Sequence, residues 1–81
     1  MTDDSSNGAL KVAAEVAIKQ FIDTLDGEDA TDFYALVLAE VEEPLLRVVM
    51  QYTSNNQSKA AAMLGLNRGT LRKKLRQYKL L

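Results

Sequence analysis

Between Asn56 and Tyr78 the chain reads NQSKAAAMLGLNRGTLRKKLRQY, and this stretch limits the fold more than any other. Asn56 is a residue type that caps helices, and Ala60, Ala61 and Leu64 give the helix that follows an apolar face at spacings of three and four. Gly65 ends that helix, because a residue without Cβ takes a left-handed turn at little cost. Leu66 plugs the turn, Asn67 caps a second helix, and Leu71, Leu75 and Tyr78 return at four and three residues as its buried side. The expected unit is helix, tight turn, helix.

This order fits a helix-turn-helix, whose first helix braces against the DNA backbone while the second enters the major groove by its N-terminal residues. A small residue, Ala61, lets the two helices cross closely. With Leu66, Leu71 and Leu75 closing the core, Asn67, Arg68, Thr70, Arg72, Lys73, Lys74 and Arg76 are left to face outward. All of them carry donors suited to phosphates and base edges. Asn56 and Ser58, at the start of the first helix, suit a phosphate as well as a turn. A basic helix face alone is usually solvated surface. The alanine, glycine and leucine framework beneath this one is what favours DNA.

The net charge of −1 hides a strong asymmetry. Residues 1 to 53 hold all eleven acids against Lys11, Lys19 and Arg47, a balance of −8. Residues 54 to 81 hold seven bases and no acid. A polyanion docks where the local field is positive, so the two ends of the chain suit different partners. Without cysteine or histidine there are no disulfides, no thiolate metal sites and no imidazole acid-base groups, and no carboxylate arrangement takes their place. The expectation is therefore no enzyme, no metal and no cofactor. The polar, acidic start MTDDSSNG and the short apolar runs point to a cytoplasmic protein without a membrane span.

In chain order, residues 1 to 8 read as a flexible acidic tail. From Ala9 to Leu25 the positions Leu10, Ala13, Ala14, Ala17, Ile18, Phe21, Ile22 and Leu25 predict a helix with one wide buried stripe. Residues 26 to 30 connect it, with Gly27 as the stop, to a second helix capped by Thr31 or Asp32. Pro44 costs roughly 3 kcal/mol inside a helix. The apolar phase nevertheless runs through it without loop residues, which predicts one kinked helix from about 32 to 52. That helix carries more apolar surface than one neighbour covers, and an 81-residue chain has little core of its own. A second copy is the simplest cover. Residues 9 to 53 then form the dimerisation helices and 54 to 81 the DNA-binding unit of an all-α protein with four helices per chain, a dimeric bundle core and a C-terminal helix-turn-helix.

The runs LVLAEVEEPLLRVVMQYT and NQSKAAAMLGLNRGTLRKKLRQY resemble the bacterial Fis family, named for factor for inversion stimulation, over about residues 10 to 79. The combination of EVEEPLL with LNRGTLRKKL is the specific part, since the C-terminal domains of nitrogen-regulation type activators carry a similar NRxTLxxKL stretch. The resemblance implies a homodimeric, nucleoid-associated transcriptional regulator that bends double-stranded DNA at degenerate A·T-centred sites. It also implies that Arg68 contacts a purine near each end of the site. Asn67, Thr70, Arg72, Lys73 and Lys74 would hold phosphates or base edges, and Asn56 and Ser58 phosphates. Longer family members carry an N-terminal β-hairpin arm that activates a DNA invertase. About nine residues precede the first expected helix here, too few for such an arm, so that role is not carried over. A second hypothesis rests on the acidic half: an interaction dimer that meets RNA polymerase or a recombinase.

Overall fold

The computed structural model describes residues 3–25, 27, 29 and 31–81, with side chains from Gly8 onward. Its elements among these residues are α1 (Asp3–Asp23), α2 (Phe33–Tyr52), α3 (Gln57–Leu64) and α4 (Arg68–Gln77), without a strand. The all-α expectation is met. The chain divides into two compact units, Met1–Val37 and Leu38–Leu81, each of which is described by itself.

In the first unit α1 begins at Asp3, not at Ala9, so the flexible tail expected over residues 1 to 8 is helical from its third residue. Asp3 and Asp4 are the residue types that a helix start favours, since its free amides carry partial positive charge. Met1 and Thr2 lie outside the described residues, as do Asp26, Glu28 and Ala30 of the connection. The helix closes at Asp23, two residues short of the expected Leu25, where the Thr24 hydroxyl donates to the Phe21 carbonyl at 2.6 Å. Gly27 takes the left-handed conformation, φ 83°, that its place in the connection called for. Of the expected stripe on α1, only Ala14, Ile18, Phe21 and Leu25 are half-buried, while Leu10 and Ile22 are exposed. Phe21 meets Phe33 with ring centroids 5.6 Å apart. Asp32 has φ 55°, outside the extended conformation that an N-cap takes. It opens α2 through its backbone carbonyl, which accepts from Leu36, rather than through a capping side chain.

In the second unit α2 continues unbroken through Pro44, as the apolar phase predicted. Leu46, Val49 and Met50 pack on Ala60, Ala61, Leu71 and Leu75, with Leu64, Leu66, Tyr78 and Leu80 around them. Ala60 and Leu71 are 0 % exposed, so the small side chain brings α3 against its neighbours and the large one fills the space behind. Met63, next to Leu64 in sequence, is exposed. A second face of α2 is uncovered: Leu38, Val41, Leu45, Val48 and Tyr52 recur at three and four residues and all are exposed, Tyr52 by 77 %. Within this unit α2 thus carries two apolar faces, of which one is buried against α3 and α4.

Candidate nucleic-acid interface

Two short connections set the geometry of α3 and α4. Ser54 and Asn55 both take left-handed backbones, φ 54° and 64°, and the Asn55 amide donates to the Met50 carbonyl at 2.7 Å. This reverses the chain at the end of α2. Asn56 then adopts the extended backbone of an N-cap, and its Oδ1 accepts from the Lys59 amide at 3.0 Å. Gly65, φ 73°, closes α3 with the Leu66 amide bonded to the Ala61 carbonyl at 2.9 Å, the double turn that its position predicted. Two residues later Asn67 Oδ1 accepts from the amides of both Gly69 (2.9 Å) and Thr70 (3.2 Å). A Cβ on Gly69 would stand 3.3 Å from that oxygen, so glycine leaves room for the cap.

The far end of α4 closes in the same manner with a different residue. Lys79 takes φ 58°, and the Leu80 amide bonds to the Leu75 carbonyl at 2.8 Å. Leu80 therefore turns back onto the core, while Leu81 is exposed.

With Leu71 and Leu75 fully buried, the remaining polar side chains of α4 follow two edges. Arg68, Arg72 and Arg76 follow one edge at intervals of four residues, and two of them reach the start of α3. Arg68 Nη1 donates to the Ser58 hydroxyl oxygen at 3.2 Å, and Arg72 Nη1 to Gln57 Oε1 at 3.0 Å. Thr70, Lys73, Lys74 and Gln77 line a shallow open groove along the other edge. Asn56, Ser58, Asn67, Arg68, Thr70, Arg72, Lys73 and Arg76 are all exposed, and no acid lies between residues 54 and 81.

Lys74 differs. It is half-buried and its ammonium lies 2.7 Å from Glu42 Oε2 on α2. The Tyr78 hydroxyl donates to Glu42 Oε1 at 2.6 Å. Hydrogen bonds from Lys74 and then Tyr78, outweighing the opposite effect of burial, hold the Glu42 carboxyl below the usual glutamate value. The same bond to Glu42, with burial, raises the Tyr78 phenol. Gln57 and Glu42 were absent from the sequence-predicted set. The position of Gln57 beside Asn56 offered a signal for the first, while nothing local marks Glu42.

Among the described residues no helix is long and apolar enough to cross a membrane, and no cluster of acids is placed to hold a metal.

The sequence comparisons agree with this geometry. A profile described as bacterial regulatory protein, Fis family, matches residues 37–78, which spans the second face of α2 as well as α3 and α4. The chain is 59 % identical over 73 residues to the DNA-binding protein Fis of Actinobacillus succinogenes, covering 90 % of this chain and 74 % of that protein. Against the proteins of the same name from Histophilus somni and Yersinia enterocolitica the identity is 53 %, over 73 and 76 residues, covering 90 % and 94 % of this chain and 74 % and 78 % of theirs. With the profile matching more than half of the chain and identity sustained across nine-tenths of its length, the chain belongs to the Fis family of bacterial regulatory proteins, a family of regulators and not of enzymes.

Proposed function

We propose that the chain is a homodimeric, nucleoid-associated regulator that binds and bends double-stranded DNA at degenerate A·T-centred sites, without a cofactor. The observation that carries this is the exposed surface of α4 and the start of α3. Asn56, Ser58, Asn67, Arg68, Thr70, Arg72, Lys73 and Arg76 share it, over a buried core and with no carboxylate in the last 28 residues. In this reading Arg68, the first residue of α4, supplies the base-edge contact. Asn67 and Thr70 set register, and Arg72, Lys73 and Arg76 supply the salt-dependent phosphate contacts. Lys74 stands apart, its ammonium already engaged by Glu42. The names of the relatives, DNA-binding protein Fis, support the same reading.

Dimerisation is supported by the uncovered face of α2, since a stripe from Leu38 to Tyr52 at coiled-coil spacing is costly to leave in water. Two copies of one recognition helix on a two-fold axis read two half-sites, and curvature of the duplex lets both be met. Gel shifts on an A·T-centred and a random duplex across salt concentrations, with light scattering of the free protein, test the proposal. A dimer that binds both, with log affinity falling against log salt by about 0.9 per phosphate held, is the expected result. A dimer that binds neither at low salt would leave the basic face as solvated surface.

A further inference from the structure

One carboxylate on α2 holds a side chain of α4 and that of its C-cap residue, Tyr78. Glu42 Oε2 lies 2.7 Å from the Lys74 ammonium, and Glu42 Oε1 accepts from the Tyr78 hydroxyl at 2.6 Å. Lys74 and Tyr78 are four residues apart, one helical turn, and all three groups are half-buried. These are the only side-chain polar contacts between α2 and α4 among the described residues. What else joins the two helices is apolar: Leu46, Val49 and Met50 on one side, Leu71 and Leu75 on the other. Apolar burial is non-directional, so it holds α4 against α2 without fixing its rotation or its axial position. Two charge-assisted bonds to one carboxylate, spaced by a helical turn, fix both.

We propose that Glu42 is a positioning residue for DNA recognition: by bridging Lys74 and Tyr78 it sets the rotation and height of α4, and Lys74 belongs to this latch and not to the phosphate-holding set. The inference rests on the DNA-binding reading above. Donors on α4 meet base edges only within narrow limits of distance and angle, so a small rotation of the helix costs affinity. Plain electrostatics predicts the opposite sign. Neutralising Glu42 removes a negative charge near a polyanion and frees a lysine for it, which would tighten binding.

The test uses the full chain in fluorescence anisotropy titrations with an A·T-centred and a random duplex over a salt series, at a temperature where circular dichroism shows each variant folded. Glu42→Gln is expected to weaken binding to both duplexes about fivefold, because a charge-assisted bond is lost. Lys74→Ala should weaken binding with an unchanged salt slope, whereas Lys73→Ala should reduce the slope by about 0.9. The exchange of both charges, Glu42→Lys with Lys74→Glu, should recover most of what either single change loses, although it removes a base from α4. Tighter binding by Glu42→Gln, a slope change for Lys74→Ala equal to that of Lys73→Ala, or no recovery in the exchanged pair would overturn the proposal. Should Glu42→Gln fail to fold, Tyr78→Phe removes one hydroxyl and keeps the ring. A loss of about twofold is then expected, and unchanged affinity sinks the latch. Wild-type protein that binds neither duplex removes the DNA reading itself, whereas binding wild type with an indifferent Glu42→Gln removes only the positioning role.

Discussion

Arg68 and Ser58, ten residues apart, are joined across the turn by a guanidinium–hydroxyl bond of 3.2 Å, so the first side chain of α4 is already oriented by α3 before any ligand arrives. Ordering a free arginine costs rotamer entropy on binding, and a weak bond that sets it beforehand lowers that cost. Ser58→Ala is therefore expected to reduce DNA affinity about threefold, more than the loss of one hydroxyl contact to a phosphate on random DNA would suggest for specific sites. The ratio of specific to random affinity, measured by competition, is the quantity to follow.

Arg68→Ala should narrow that ratio by about tenfold, since a bidentate base contact contributes roughly 1–3 kcal/mol of discrimination. Lys73→Ala should lower affinity for specific and random DNA alike. Equal losses on both sequences for Arg68→Ala would remove this division of labour.

Asn67 caps two amides at once, and its replacement by alanine should cost about 1–2 kcal/mol in a denaturant titration. Gly69→Ala should recover nothing from alanine's better helix propensity, because the new Cβ crowds the capping oxygen at 3.3 Å. A gain in stability for Gly69→Ala would show that the cap tolerates the displacement.

The ends of α3 and α4 make a matched pair of tests. Gly65 and Lys79 both occupy left-handed backbones, φ 73° and 58°. Gly65→Ala meets no atom within 4 Å, so the loss expected, about 1 kcal/mol, is the backbone term alone. Lys79→Gly should change stability in the other direction, by about 0.5–1 kcal/mol, read as a shift in thermal midpoint.

Glu42 and Tyr78 predict a stability plateau bounded on both sides. The carboxyl is depressed, so its contribution is full above the usual glutamate value and is lost as pH falls through the lower folded value. The phenol is raised, so its contribution is full below the usual tyrosine value and is lost as pH rises through the higher folded one. Urea midpoints of wild type and Glu42→Gln should therefore differ at neutral pH and converge in acid. A gap that persists undiminished at the lowest pH would show that Glu42 acts by packing alone.

Leu45→Glu separates a dimer from a monomer. In the single chain Leu45 is exposed, and a polar replacement there should change stability by less than about 0.5 kcal/mol. If a second copy covers the stripe, the same change should halve the mass seen by light scattering.

The C-terminal unit was legible in the sequence because each of its signals is local. Asn56, Gly65 and Asn67 act within four residues of themselves, and Leu71 and Leu75 declare a face by spacing alone. The continuity of α2 through Pro44 was legible for a related reason, since an unbroken apolar phase outweighed one missing amide. What was missed depends on distance or on competition between local preferences. Glu42 meets Tyr78 across 36 residues, and no periodicity encodes that bond. The start of α1 at Asp3 is not legible from the apolar stripe, because a polar, acidic composition suits a disordered tail and a helix N-terminus equally. Of the two candidate caps of α2, Thr31 and Asp32, the second turns the chain with its backbone and not its side chain.

The two-faced α2 also bears on how such a regulator would respond to its own abundance. Its inward face buries Leu46, Val49 and Met50 against the helices behind it, while its outward stripe is left exposed in the single chain. If two copies pair as proposed, a chain held by so small a core gains much of its persistence from pairing, and separation and unfolding become one event. Occupancy of a DNA site by the pair then rises with the square of chain concentration while copies are dilute. A modest change in synthesis is thereby turned into a larger change in binding, with no effector molecule involved.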